Sequence, residues 1–230
     1  MTTPMSLVQF ATDRMPQTGT VAMRRPDHHL LFGRVELNGA ALPFGRNAEV
    51  YGEEEPADYI YKVLSGGVRT YKVLSDGRRQ IIGFYLPGDV FGSDPGDEHQ
   101  CSAEAIVDSQ ILLVRRATVF KVAERDAEVA RSLWTLTATE LRRSHQHALL
   151  LIKSAQERLA AFLLDMAERL STKNSVELPM SRQDIADHLG LTIETVSRTL
   201  TQLVDSSIIQ LLASRRIVLS NRAVLSELNG

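Results

Sequence analysis

Residues 180–203, MSRQDIADHLGLTIETVSRTLTQL, decide how this chain is read. They describe two short helices joined by a tight turn, the second carrying a polar outer face. Ser181 stands where an N-cap belongs, and Asp184 follows three residues on, the spacing of a capping box. Met180 before the cap and Ile185 after it are placed to pack as a hydrophobic staple. Gly190 ends the first helix, where so sharp a reversal favours a residue tolerant of positive φ. Thr192 then caps the second helix, with Leu191 and Val196 as its staple. Ile185, Leu189, Leu191, Val196 and Leu200 point inward, and Ala186 is small where the two helices must cross closely. This is the spacing of a helix-turn-helix.

The outer face of the second helix holds Glu194, Ser197 and Arg198. Residues at i, i+3 and i+4 share one face, and the first turns of a recognition helix are the part that reaches base edges. Arginine donates two hydrogen bonds to guanine O6 and N7, a carboxylate accepts from cytosine N4, and a serine hydroxyl adapts to several edges. In isolation an E-x-x-x-R pair is read as an exposed salt bridge of little consequence. Inside a capped helix-turn-helix the base-reading role is the stronger reading. Ser181, Arg182, Thr192 and Thr195 are then expected to position the two helices against the DNA backbone.

At these residues a resemblance becomes specific. ETVSR, preceded by DIADHLGLT, resembles the recognition element of the Crp–Fnr family of bacterial transcription regulators. The E-x-x-S-R form is similar to the Fnr and FixK branches, whose sites are of the TTGA…TCAA type. Position by position, Glu194, Ser197 and Arg198 match the family's base-contacting residues. The resemblance covers roughly Leu30 onward, although only this motif is sharp.

Bulk properties fit without announcing the function. The 230 residues suffice for two domains with their own cores. Net charge is −2 and the pI about 6.3, and from Lys153 onward nine Lys/Arg face nine Asp/Glu. Any positive footprint must therefore come from placement, with Arg182, Arg198, Arg215 and Arg216 on one face. No stretch approaches the ~20 apolar residues of a membrane span, and no apolar run near the start suits a signal peptide. The single cysteine, Cys101, excludes an intramolecular disulfide and suits a reducing cytoplasm, the expected location. It also excludes an Fnr-type iron–sulfur cluster, which needs about four thiolates.

Residues 1–25 read as an N-terminal arm. From about Leu31 to Arg115 short apolar runs alternate with glycine-bearing turns. The strands expected are Ala41–Phe44, Tyr59–Leu64, Val68–Leu74, Arg79–Tyr85, Ala103–Val107 and Gln110–Arg115, with Ser75–Gly77 (SDG) a strong hairpin signal. Many short strands suggest a closed or sandwiched β domain, and the family resemblance implies a jelly-roll (double-stranded β-helix) sensor. Pro87–Gly92 (PGDVFG) looks like the opening of the family's cyclic-nucleotide cassette, but the chain departs from it afterwards. Ser93-Asp94 stand where Gly-Glu is followed in the family, and His99-Gln100-Cys101-Ser102-Ala103 occupy the expected arginine's place. Asp94, Asp97 and Glu98 would repel a phosphate, so no cyclic nucleotide and no other cofactor is expected.

The same β architecture hosts metal enzymes, which set two His close together on a strand. Here only His28-His29 and His145/His147 are close; the first pair lies outside the strands and the second on a helix, where i and i+2 diverge. Neither a catalytic residue nor a metal site is expected. His99 and Cys101 are read as surface-loop residues rather than a haem or soft-metal pair, with a ligand-gated regulator sensing haem, metal or a small molecule kept as the alternative.

One long helix is expected from Asp126 to Ile152. Ala130, Trp134, Thr137, Leu141, Ser144, Ala148 and Leu151 recur at steps of four and three, the spacing of a coiled-coil seam. At 1.5 Å per residue such a helix spans ~40 Å, longer than a small domain is wide, so it is expected to pack on more than its own β domain, and the family resemblance implies a parallel homodimer. Ser154-x-x-Glu157 is a further capping box, with Leu159, Leu163, Met166 and Leu170 buried behind it. Ser171–Ser175 read as a loop. Ile208–Leu212 and Arg216–Leu219 read as a wing, with Arg215 and Arg216 at its tip for phosphates.

The expectation is thus an α+β chain in four parts: arm 1–25, β-roll sensor 26–125, dimerisation helix 126–152 and winged helix-turn-helix 153–230. It binds double-stranded DNA as a homodimer and meets RNA polymerase, with no enzymatic activity and no membrane. The resemblance implies activation of transcription in nitrogen fixation or oxygen-responsive control.

Overall fold

The computed structural model describes residues 37, 39–170 and 175–229; the expected N-terminal arm and His28-His29 lie outside them. The first half is two four-stranded antiparallel sheets. One has the order β1 (Ala40–Phe44), β8 (Ser109–Arg115), β3 (Tyr59–Ser65), β6 (Val90–Phe91). The other runs β2 (Glu49–Tyr51), β7 (Ser102–Ala105), β4 (Val68–Val73), β5 (Arg79–Tyr85). Alternation along β3 and β8 turns Tyr61, Val63 and Ile111 to one face, in the core between the sheets, and Ile60, Leu112 and Val114 to the other, under the helices that follow, as the period-two geometry of a strand requires. The SDG turn joins β4 to β5 as expected. Gly77 takes φ +82°, Leu74 N donates to Arg78 O, and the Asp76 carboxylate accepts from the Arg78 amide.

Three short strands, β2, β6 and β9 (Ser175–Glu177), were not expected. Two or three residues carry no periodicity of their own, so neighbours in the sheet define them. β9 begins at Ser175, the last residue of the expected loop, and pairs with the wing instead of only leading into the helix-turn-helix. The strand expected over Ala103–Val107 stops at Ala105: Ile106 still donates its amide to Gly67 O, but the Gly67 amide turns to Ser109 Oγ and the pairing goes no further.

Helix α1 (Arg116–Ala123) leads to the long helix α2 (Ala127–Leu150), capped by Asp126, whose carboxylate accepts from the amides of Glu128 and Val129. One side of α2 packs on the β domain through Leu133 and Leu136, against Val119, Val122 and Leu112, and Val129 of the same helix is fully buried. All seven seam residues are exposed, Trp134 at 76% and Leu141 at 56% among them, on a stripe about 100° round the helix from that side.

Beyond α2, helix α3 (Ala155–Arg169) starts in the expected Ser154–Glu157 capping box. The helices α4 (Arg182–Leu189) and α5 (Ile193–Asp205), the hairpin β10 (Ile209–Leu211) and β11 (Arg216–Leu219), and α6 (Arg222–Asn229) follow. β9 adds to the hairpin as a third strand, in the order β10-β11-β9. Leu159, Leu163 and Met166 are buried from α3, and Leu170 packs partly buried beside them. This core is continuous with Ile81, Phe84, Leu86 and Ile106 of the β domain.

Candidate nucleic-acid interface

The two helices at the heart of the interface form for local reasons. Ser181 N donates to Asp184 Oδ2 at 2.9 Å and Asp184 N to Ser181 Oγ at 3.1 Å, closing the capping box. Gly190 sits in the left-handed region at φ +62°. Thr192 Oγ1 accepts from Thr195 N at 3.2 Å and caps α5. Met180 and Ile185, the expected staple, are both buried, as are Ala186, Leu189, Val196 and Leu200. Leu191 is partly buried against the same core.

With that face inward, Glu194 and Arg198 are exposed and Ser197 is half-exposed. The Arg182 guanidinium reaches Ser197 Oγ at 3.4 Å, so a residue expected to position and one expected to read bases meet on this surface. Ser181 is turned inward, its hydroxyl donating to Asp184 Oδ2 at 2.7 Å. Arg216 is exposed on the wing, while Arg215 folds back to donate to Pro179 O at 3.0 Å, tying the wing to the strand-helix junction.

Several residues that hold this surface in place carry no local signal in the sequence. Arg158 donates to the carbonyls of Leu189 at 2.8 Å and Leu151 at 2.6 Å, joining the end of α4 to the end of α2. Asp89, in the PGD turn, accepts from Arg143 of α2 at 3.1 Å and Arg169 of α3 at 2.8 Å. Burial works against the Asp89 carboxylate, yet the Leu86 amide and these two guanidiniums hold it below the usual carboxylate range. The His188 ring lies against His147, with centroids 4.5 Å apart, and beside Phe84 and Phe162. Enclosure there pushes His188 down to about 3, His147 adding to the effect.

The interior of the β domain corrects one expectation. His99 is not a surface-loop residue; it is buried and stacks on Tyr51 with centroids 3.6 Å apart. Asp94 Oδ2 accepts from His99 Nδ1 at 2.8 Å. Tyr61 and Phe91 complete an aromatic cluster around Tyr51. The apolar and aromatic neighbours that enclose His99 come from β2, β3 and β6, two of which are too short to read locally. Cys101, part-buried, has its thiol pushed up to about 11 by burial first and then by nearby Asp94. Among the described residues no group of three or more His, Cys, Asp or Glu is placed to hold a metal ion. None of their helices is long and apolar enough to cross a membrane.

A capped helix-turn-helix with a polar outer face, a three-stranded wing and a β-roll in front of it define a DNA-binding regulator of the winged-helix type. Comparison with known proteins agrees. Residues 157–228 match the Crp-like helix-turn-helix domain and residues 42–126 the cyclic nucleotide-binding domain. The nitrogen fixation regulation protein FixK of Azorhizobium caulinodans is 48% identical over 197 residues, covering 83% of this chain and 79% of its own. The FixK of Rhizobium meliloti is 44% identical over 170 residues, 74% of this chain and 77% of its own. The solved structure of FixK2 from Bradyrhizobium japonicum superposes with a TM-score of 0.82 at 51% identity, covering 84% of this chain and 98% of that one. The chain belongs to the Crp–Fnr family of transcription regulators, in its FixK-like branch, and is not an enzyme.

Proposed function

We propose that the protein binds a TTGA-N6-TCAA-type pseudopalindrome as a homodimer, without cyclic nucleotide, and activates transcription through RNA polymerase in the cytoplasm. The observation that carries this reading is the outer face of α5, where Glu194, Ser197 and Arg198 stand free of the core on a capped helix. Arg198 reads the G·C pair of each half-site, and Glu194 and Ser197 read its neighbours. Thr192, Thr195, Arg182 and Ser181 hold the helix at the groove, and Arg216 meets a phosphate. Arg215 acts through the wing's attachment at Pro179.

Dimerisation is supported by the exposed seam of Ala130, Trp134, Thr137, Leu141, Ser144, Ala148 and Leu151, a stripe beside the face that covers the β domain. Two chains paired along this seam present two recognition helices to successive major grooves about one helical turn apart. Independence from cyclic nucleotide is supported by the β-roll interior, where Tyr51, Tyr61, Phe91 and His99 stack together and Asp94 adds a carboxylate. Burial disfavours that charge, yet His99 and the Gln100 amide hold the carboxyl below its usual range, and it would repel a cyclic phosphate. The relatives' names place such control in nitrogen fixation.

The test is a fluorescence-anisotropy titration of purified protein onto the TTGA-N6-TCAA duplex, with a scrambled duplex and a cAMP-supplemented arm beside it. The expected result is tight binding to the palindrome alone, unchanged by cAMP. Equal binding to both duplexes, or binding that requires cAMP, would refute it.

A further inference from the structure

The helix-turn-helix is tied to the β domain by a cluster of charged groups. Asp184 divides its carboxylate between two tasks. Oδ2 closes the capping box with Ser181, while Oδ1 accepts from Arg69 Nη1 at 2.9 Å and Arg79 Nη2 at 2.8 Å. Arg69 spends its other nitrogen on Glu104, at 2.9 Å. Arg79 also reaches Asp187 Oδ2, through Nε at 2.9 Å and Nη2 at 2.7 Å. At the end of α4 the backbone is held as well, Gln80 Nε2 donating to His188 O at 3.2 Å and His188 Nδ1–H to Ile81 O at 3.1 Å. Arg69, Arg79, Gln80 and Ile81 lie on β4 and β5, and every partner but Glu104 lies on α4.

This cluster is withdrawn from water: the side chains of Arg69 and Asp184 are 9% and 5% exposed. Replacing such a buried ion pair by apolar groups often leaves stability unchanged, so stability alone does not account for it. A guanidinium, however, presents its donors in a rigid planar fork, and here each fork bridges two carboxylates, Arg69 joining Asp184 to Glu104 and Arg79 joining Asp184 to Asp187, which fixes α4 in direction as well as distance. α4 packs on α5, and the orientation of α4 on the β sheet therefore sets where the recognition helix points. In a dimer the β domains are joined along α2, so this orientation also sets the separation of the two recognition helices. The separation has to match a helical turn of DNA.

We propose that Arg69 and Arg79, with their α4 partners Asp184 and Asp187, are positioning residues for DNA recognition: they fix the half-site spacing that the dimer accepts. The proposal rests on the dimeric reading above. A chain released from this tether still reads a half-site but no longer insists on one separation, because the second recognition event gains effective concentration only when geometry permits it.

The test uses the full chain and anisotropy titrations on the N6 palindrome and on palindromes one base pair shorter and longer. Arg79→Gln, Asp187→Asn, their double variant, and Arg69→Lys, which keeps the charge and loses the fork, are compared with the parent. Arg78→Gln is the control. Its side chain is 77% exposed and paired with Asp76 in its own turn, yet it lines the same cleft as Thr192 and Thr195 at the start of α5. The parent is expected to prefer the N6 duplex by at least about tenfold, the misplaced second half-site contributing little. Arg79→Gln, Asp187→Asn and Arg69→Lys should each shrink that preference several-fold, the double variant no further than Arg79→Gln, and Arg78→Gln should leave it intact. A preference preserved in the tether variants, whether or not their affinity falls, overturns the proposal. A parent that binds no palindrome in preference to scrambled DNA overturns the dimeric reading and this proposal with it.

Discussion

In the proposed complex, specificity turns on Arg198. Exposed on the second turn of α5, it is free to make the bidentate contact to guanine that carries most discrimination in such interfaces. Arg198→Ala is expected to cost about 1–3 kcal/mol per half-site and to relax selectivity at the G·C pair, read by anisotropy on base-substituted duplexes. His188 makes a different prediction. Its folded pKa, about 3, lies below the value of 6.5 expected for a free side chain. A depressed histidine contributes fully above the unfolded value and loses its contribution as pH falls from there toward the folded value. Between pH 7 and pH 5 the protein should lose about 2 kcal/mol to this group, the order of magnitude that the gap implies. Denaturant unfolding at the two pH values measures it, and His188→Phe should remove most of the difference.

At the scale of elements, the helix-turn-helix was legible because everything that defines it is local. The Ser181–Asp184 box, the left-handed Gly190 and the Thr192 cap each act within three residues of themselves. Gly190→Ala tests the turn. At φ +62° a side chain is strained, and the change should cost about 1–2 kcal/mol, read as a lowered thermal midpoint. The long helix was legible too, since a seam repeats along it. The short strands β2, β6 and β9 were not, because two or three residues have no pattern to read. Leu141→Glu belongs at this scale. A buried charge in the seam should leave a folded monomer, with unchanged circular dichroism and half the sedimenting mass, that no longer binds the palindrome tightly.

For the whole molecule, legibility failed where contacts cross the chain. Arg69 and Asp184 are 115 positions apart, Arg79 and Asp184 105, and in the sequence each is an ordinary charged residue. His99 likewise reads as a loop residue until β2, β3 and β6 close around it. The β domain and the helix-turn-helix domain nevertheless share one apolar core, from Ile81 and Phe84 to Leu163 and Ile185. α4 therefore stands between the β-roll and α5, charge-paired to the one and packed in the same core as the other.

The central claim is that two chains, with no added ligand, assemble on one pseudopalindrome. Sedimentation velocity of the protein mixed with the TTGA-N6-TCAA duplex tests it most directly. A single complex holding two chains per duplex is expected, the same with or without cAMP. One chain per duplex, or a complex that forms only when cAMP is present, would contradict it.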